Sequence, residues 1–76
     1  MQRLTLADLK EGESAEIASV AADSNSQRLN EMGLMSGQSV TIVNKALWGD
    51  PIEIRIMNYQ LCLRKADAAQ VLLKTQ

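Results

Sequence analysis

Histidine is absent from this chain of 76 residues, and Cys62 is its one cysteine. Zinc sites built from His and Cys are therefore excluded, as are nucleophilic sites that pair a Cys with a His. A lone cysteine also rules out a disulfide within the chain and is typical of proteins in a reducing compartment.

Aromatic residues and net charge are also scarce. Phe is absent, Trp48 and Tyr59 are the only aromatic residues, and the formal net charge is -1. A nucleic-acid-binding surface needs excess positive charge, and one that binds single strands also uses aromatic side chains for base stacking. We therefore expect no nucleic-acid partner.

Long apolar runs are missing as well. The longest stretch without a charged residue runs from Met32 to Asn44, and glycines and hydroxyl side chains interrupt it, so no membrane span is expected. The first residues, Met1 to Leu4, contain no apolar signal segment. We therefore expect a cytoplasmic protein that meets a membrane only through a partner.

What is present suffices for one small folded domain. Leu, Ile and Val supply 19 of the 76 residues, above the content typical of disordered chains. A chain of this length buries only about 60% of its unfolded surface, which leaves little volume for an enclosed substrate pocket. We predict a single domain over residues 1–76 that is not an enzyme, with no catalytic and no cofactor-binding residue.

The first half of the chain predicts one strand and one helix. Residues 14–20 alternate weakly, which predicts a strand with Ala15 and Ile17 on one face and Ala18 and Val20 on the other.

The helix is predicted over residues 24–32. Ser24 and the glutamine three positions later have the spacing of a capping box. Gly33 supplies a left-handed stop, after which Leu34 is expected to pack back onto Leu29.

Alternation of apolar and polar residues dominates the second half. Its clearest example is residues 52–56, where three isoleucines alternate with Glu53 and Arg55. Two leucines resume the pattern, so residues 52–64 are predicted as a hairpin whose turn contains Asn58, a residue that tolerates positive φ. Three shorter elements are also predicted: strands at residues 40–43 and 71–73 and a helical turn at residues 65–69.

These elements predict a mainly β protein. Five short strands and two helical pieces in so few residues favour a small closed barrel, because closure removes exposed sheet edges. Residues 1–23 carry a net charge of -3 and residues 55–76 carry +3. We therefore expect the first and last segments to pair in one sheet.

Several short motifs follow one another along the chain. They are Leu6-Ala7-Asp8-Leu9 with Gly12, Leu29 to Leu34 with Gly37, Gly49-Asp50-Pro51, and Leu61-Cys62-Leu63-Arg64 leading into Asp67-Ala68-Ala69. In this order and spacing, over residues 4–73, they resemble the FeoA family, the small cytoplasmic partner of the ferrous iron transporter FeoB. The resemblance implies an SH3-like barrel with a helix inserted after the first strand.

The resemblance also implies a role in bacterial ferrous iron uptake beside a FeoB-type membrane transporter that has a cytosolic GTP-binding domain. The chain would then be an interaction module. The same barrel occurs as the C-terminal domain of DtxR-type repressors, but no helix-turn-helix accompanies it here. Three alternatives stay open: regulation of the partner's GTP hydrolysis, metal sensing as in those repressors and, more distantly, a nucleic-acid-binding barrel.

Trp48 is the leading candidate for contact with the partner. It lies beside Leu47 and before Gly49 and Asp50 in a predicted loop between two strands, and an aromatic side chain on a loop is typical of protein interfaces. The alternative is that Trp48 covers one open end of the barrel and belongs to the core. Where this chain has Leu47 and Trp48, the family often has a proline and a smaller apolar residue.

Polar residues of the predicted helix complete the candidate surface. Gln27, Arg28 and Asn30 are predicted as a polar rim around Leu29. Arg28 also invites comparison with an arginine finger, which stabilises the charge of a phosphoryl transfer. The alternative, a solvated charge on the helix face, is the more common situation.

We assign no metal ligand. The carboxylates left in the absence of His, such as Asp23, Glu31, Asp50 and Glu53, are not spaced to enclose a cation. The resemblance implies an association with transition metals but places it on no residue here. Cys62 alternates with two leucines, which predicts a structural role on the opposite face of its strand rather than reactivity.

Overall fold

Five antiparallel strands form one sheet, in a computed structural model that describes residues 4–21 and 26–74. The strands are β1 (Ser14–Val20), β2 (Ser39–Lys45), β3 (Ile52–Ile56), β4 (Tyr59–Leu63) and β5 (Val71–Leu73). The helices are α1 (Ser26–Glu31) and α2 (Lys65–Ala68), and two 3₁₀ turns lie at Leu6–Asp8 and Leu47–Gly49. The mainly β fold with five strands is thus confirmed.

The order of the strands in the sheet is β4-β3-β2-β1-β5. The acidic first segment and the basic last segment pair, as their charges predicted: Ile17 of β1 lies opposite Leu73 of β5. Just beyond β5, Lys74 Nζ lies 2.5 Å from Glu16 Oε2. The chain ends are therefore held together by a backbone ladder and an ion pair at its edge.

The two edges of the sheet differ. The outer side of β5, away from β1, is covered by the N-terminal segment. The Leu73 N–H donates to the Leu4 carbonyl at 2.8 Å, and Thr5 bridges to Leu72. Within the residues described, β4 pairs with β3 alone. The expected small barrel thus has no backbone ladder between β4 and β5 among the described residues: β5 is only three residues long, and the N-terminal segment takes its outer side.

The hydrophobic core lies inside the curled sheet. The three isoleucines of β3 are all buried, as their alternation predicted, and they pack with apolar residues from every other strand and both helices. The largest fully buried side chains are Leu6, Ile17, Leu29, Leu34, Val40, Ile42, Ile52, Ile54, Ile56, Leu63 and Val71.

Two details of the strands differ from the predictions. The alternation predicts Val20 on the face opposite Ile17, yet Val20 packs against the core, because a register shift between Ile17 and Ser19 reverses the alternation. In the β3–β4 turn the positive φ of 56° falls on Met57, one residue before Asn58. A two-residue turn can place its left-handed residue first, and the sequence does not distinguish the two positions.

The end of α1 is as predicted. The Leu34 N–H donates to the Leu29 carbonyl and the Gly33 N–H donates to the Asn30 carbonyl, both at 3.0 Å. These two bonds, with a φ of +100° at Gly33, form a Schellman stop, and both leucines are fully buried. The predicted cap at Ser24 lies outside the described residues.

Candidate partner-binding surface

The turn between β2 and β3 displays two large apolar side chains to solvent. Leu47 is 80% exposed and Trp48 is 90% exposed, more than any other large apolar residue among those described. The alternative in which Trp48 covers the core is therefore wrong. The core is filled by aliphatic side chains, which explains why a protein without Phe does not need its tryptophan for packing.

The backbone of this turn holds the indole outward. Trp48 has φ 67° and ψ 11°, a left-handed conformation that costs a residue with a Cβ about 1–2 kcal/mol. The base of the turn is closed by the Ala46 N–H, which donates to the Pro51 carbonyl at 3.1 Å. Between them lies a cis peptide bond from Asp50 to Pro51.

Side chains of other segments fix both flanks of the turn. Before it, the Lys45 N–H donates to Glu11 Oε2 at 2.7 Å, and Lys45 Nζ donates to the Ala7 carbonyl at 3.0 Å. After it, Asp50 Oδ1 accepts from the Lys65 N–H at 3.0 Å, at the first residue of α2. The exposed pair is therefore displayed from an anchored base.

The predicted polar rim also lies at the surface. Gln27, Arg28 and Asn30 of α1 are exposed, while Leu29 between them is fully buried. The helix thus turns its apolar residue into the core and its polar residues to solvent.

Arg28 has a partner that the sequence did not reveal. Its guanidinium Nη2 lies 3.6 Å from Oδ2 of Asp67, whose side chain is only 9% exposed. With 64% of its side chain exposed, Arg28 is still a largely solvated charge on the helix face, to which the structure adds this one ion-pair partner. The physical reason is that Asp67 needs a counter-charge where it is shielded from water.

Helix α2 connects the two parts of the predicted surface. Asp50 reaches the backbone of Lys65 at its start, and Arg28 reaches the side chain of Asp67 two residues later. An α-helix of four residues is only about 6 Å long, so both contacts are made within one turn. Lys65 and Asp67 were missed as site residues, because no local pattern links them to residues 15 and 39 positions away.

The residues described contain no group of three or more Cys, Asp or Glu side chains that could hold a metal ion. Asp23, one of the carboxylates considered, lies outside them. Cys62 is a free, exposed thiol opposite Glu53 in the β3–β4 ladder. No helix in the described part of the chain is long and apolar enough to cross a membrane.

Comparison with known proteins decides the family. Residues 4–75 match the FeoA domain. The chain belongs to the FeoA family. This FeoA domain is 42% identical over 45 residues to the Fe(2+) transport protein A/Fe(2+) transporter FeoB fusion protein of Porphyromonas gingivalis. That match covers 59% of this chain and 5% of the fusion protein, so the chain spans a small fraction of this relative.

Solved structures show the same fold. The FeoA-like protein of Clostridium acetobutylicum superposes with a TM-score of 0.88 at 27% identity, over 97% of this chain and 87% of that one. FeoA of Stenotrophomonas maltophilia, crystallised with zinc and described as an SH3 domain protein, gives 0.84 at 29% identity, over 93% and 89%. FeoA of Chlorobium tepidum gives 0.82 at 34% identity, over 92% and 68%.

A manganese-dependent transcriptional repressor shares the fold alone. It superposes with a TM-score of 0.80, but its identity is 13% and this chain covers 42% of it. The expected likeness to repressor domains is therefore a likeness in fold, that of the barrel.

Proposed function

We propose that this FeoA domain is a cytoplasmic accessory protein of ferrous iron uptake that docks, without catalysing a reaction, onto a FeoB-type transporter. Membership of the family supports the role in iron transport. The P. gingivalis relative joins an Fe(2+) transport protein A and FeoB in one chain. A fusion holds its parts at high effective concentration, which supports the two acting together as separate chains.

The exposure of Leu47 and Trp48 carries this proposal. Binding energy at protein interfaces is concentrated in a few residues, and Trp is among the most enriched of them. Such a residue works best inside a polar rim that excludes water, and Gln27, Arg28 and Asn30 supply polar groups beyond α2. Gly49 and Asp50 complete the proposed surface, and Asp50 anchors the turn by accepting from the Lys65 N–H.

We place the contact on the cytosolic GTP-binding region of the transporter. Two exposed apolar side chains accompanied by exposed polar residues on α1 suit an interface formed in water, such as the surface of a soluble domain. The anchored base of the turn supports tight binding, because a prearranged side chain loses less conformational entropy when it is buried.

Fluorine NMR tests the docking directly. Trp48 is the only tryptophan of the chain, so labelling with 5-fluorotryptophan gives one resonance that reports on it alone. The soluble GTP-binding domain of the cognate FeoB is titrated in, once with GDP and once with a non-hydrolysable GTP analogue. We expect a saturable change of the resonance in at least one nucleotide state.

Two variants sharpen the test. Trp48→Ala, followed by calorimetry, is expected to weaken binding at least tenfold, as for a central interface residue. Met57→Gln is the matched control, since Met57 is 51% exposed but lies at the opposite end of β3. An unchanged resonance with both nucleotides, or equal affinities of Trp48→Ala and the wild type, would show that this surface is not the docking site.

Regulation of GTP hydrolysis is separated from docking by a second pair of variants. If Arg28 acts in the partner's active site, Arg28→Ala lowers stimulated hydrolysis more than binding, while Asp67→Asn, which breaks the same ion pair, does not. If the two variants change stimulated hydrolysis and binding to the same extent, the role of Arg28 is to link α1 to α2 through its ion pair with Asp67.

A further inference from the structure

The free edge of β4 is a second surface, separate from the turn at Trp48. Ile56 and Tyr59 close a two-residue hairpin, so Tyr59, Leu61 and Leu63 direct their backbone groups toward β3. The intervening residues, Gln60 and Cys62, therefore direct their N–H and C=O groups away from the sheet. None of these four backbone groups takes part in a backbone hydrogen bond to another segment of the described chain.

This edge has none of the features that block strand addition. The β4 sequence, Tyr-Gln-Leu-Cys-Leu, contains no charge and no proline, and its pairing with β3 runs without a bulge. Proteins protect exposed edges with such charges, prolines or bulges, or by covering them. The opposite edge of this sheet is covered by Leu4 and Thr5, which makes the open side at β4 the exception.

A shallow depression of about 470 Å³ adjoins the edge. It is lined by Arg55, Met57, Asn58, Tyr59 and Gln60. Arg55 is the one charged residue of this lining; it is exposed and forms no ion pair within the described residues. The lining therefore offers a free guanidinium, two side-chain amides and a mixed apolar surface, with no carboxylate.

We propose that the β4 edge binds an extended acidic segment of a partner protein as a sixth, antiparallel strand. The segment pairs with the outward backbone groups of Gln60 and Cys62, and a carboxylate side chain opposite Gln60 lies on the face that carries Arg55. Arg55 and Gln60 are directly opposite each other, which places their side chains on one face of the sheet, where both line the depression.

Charge favours such a segment over a second copy of this chain. In a pair of β4 edges, two uncharged strands would meet, and neither β4 would bring a carboxylate to Arg55 of the other copy. Glu53 shares the face of Arg55 but lies opposite Cys62 and forms no ion pair with Arg55 among the described residues. An acidic strand supplies the missing carboxylate opposite Gln60. The proposal does not depend on docking at Trp48, since the depression that would hold the carboxylate lies at the Ile56 end of β3, whereas the Trp48 turn precedes Ile52 at its other end.

Disulfide exchange at Cys62 provides a test that detects weak binding. Residues opposite each other in a hydrogen-bonded antiparallel pair have Cα atoms about 5.5 Å apart, which a disulfide can span. The probe is acetyl-Thr-Cys-Val-Glu-Val-amide, whose Cys would lie opposite Cys62 and whose Glu would lie opposite Gln60. Its control carries Lys in place of Glu, and each is equilibrated with the full chain in a buffer of reduced and oxidised glutathione, in which the oxidised form is the oxidant for the mixed disulfide.

We expect the mixed disulfide with the Glu peptide to be favoured about three- to fivefold over that with the Lys peptide at low salt. Arg55→Gln is expected to bring the ratio to about one, whereas Arg64→Gln, at the end of β4, leaves it unchanged. With the Glu peptide attached, hydrogen exchange of the Gln60 and Cys62 amides slows at least tenfold relative to the glutathione adduct.

Any of three results would overturn the proposal. The first is equal amounts of the Glu-peptide and Lys-peptide disulfides with the wild-type chain, and the second is amides that exchange equally fast with peptide and with glutathione attached. The third is protection of the same amides in the chain alone that grows with its concentration, which would identify a second copy as the occupant.

Discussion

At the scale of single residues, Trp48 combines an exposed apolar side chain with an unfavourable backbone. Its φ of 67° is a conformation that glycine adopts without strain, and its indole is 90% exposed. Neither feature stabilises the fold. Residues in such conformations concentrate at functional sites, which agrees with the docking role proposed for Trp48.

The strain at Trp48 predicts a stability difference between two variants that both lack the indole. Trp48→Gly is expected to be about 1 kcal/mol more stable than Trp48→Ala, because glycine relieves the left-handed strain and alanine does not. Urea unfolding measures the difference. Equal stabilities would mean that the turn relaxes to another conformation when the indole is removed.

Gly33 is required for two reasons at once. Its φ is +100°, and a Cβ there would overlap the Tyr59 hydroxyl, which donates to the Met32 carbonyl. Gly37 has a similar φ of +93°, but a Cβ there would meet nothing within 4 Å. We expect Gly37→Ala to cost about 1 kcal/mol and Gly33→Ala about twice that, since it also disrupts the tyrosine hydrogen bond.

A double variant separates the two contributions. In Tyr59→Phe the hydroxyl is gone, so Gly33→Ala should cost there only as much as Gly37→Ala. Thermal unfolding of the wild type, the two single variants Gly33→Ala and Tyr59→Phe, and the double variant measures this coupling. A cost of Gly33→Ala that is the same with Tyr and Phe would show that the hydroxyl moves aside freely.

At the scale of elements, α2 depends on contacts with distant segments. It has four residues, too few to be stable alone, and its N-cap residue, Arg64, makes no capping hydrogen bond with its side chain. Asp50 supplies that bond from the β2–β3 turn. The turn that displays Trp48 and the helix that holds Arg28 are therefore coupled through α2.

The contact from Asp50 predicts a loss of stability when it is removed. Asp50→Ala is expected to cost about 1 kcal/mol, typical of a lost helix cap, while Asp50→Asn keeps an acceptor oxygen and costs less. Glu53→Ala is the control, since the carboxylate of this nearby strand residue makes no such bond. Chemical denaturation measures all three, and equal stabilities of the Asp50 variants and the wild type would contradict the capping role.

At the scale of the whole molecule, stability rests on a small aliphatic core. Ile54 is fully buried at the centre of β3, between β2 and β4. Ile54→Ala is expected to cost about 3 kcal/mol, a large share of the stability of a domain this small. Val43→Ala, at a strand position 38% exposed, should cost less than about 1 kcal/mol. Urea unfolding distinguishes the two, and similar costs would mean that the core is not organised around β3.

Several features of this protein were determined by the sequence itself. The alternation of three isoleucines predicted β3, and Gly33 with the following leucine predicted the stop of α1, because both signals come from neighbouring residues. The opposite charges of the two chain ends predicted the pairing of β1 with β5. The order of short motifs was specific enough to indicate the FeoA family, which the match over residues 4–75 then established.

Tertiary structure decided what depends on residues far apart in the chain. The bulge that turns Val20 inward arises where β1 meets β5, and the open edge at β4 exists because Leu4 and Thr5 cover β5 instead. Arg28 contacts Asp67 because the fold brings α1 close to α2. Trp48 is exposed because aliphatic residues already fill the core. Local patterns carry no information on such contacts, because packing between distant segments sets them.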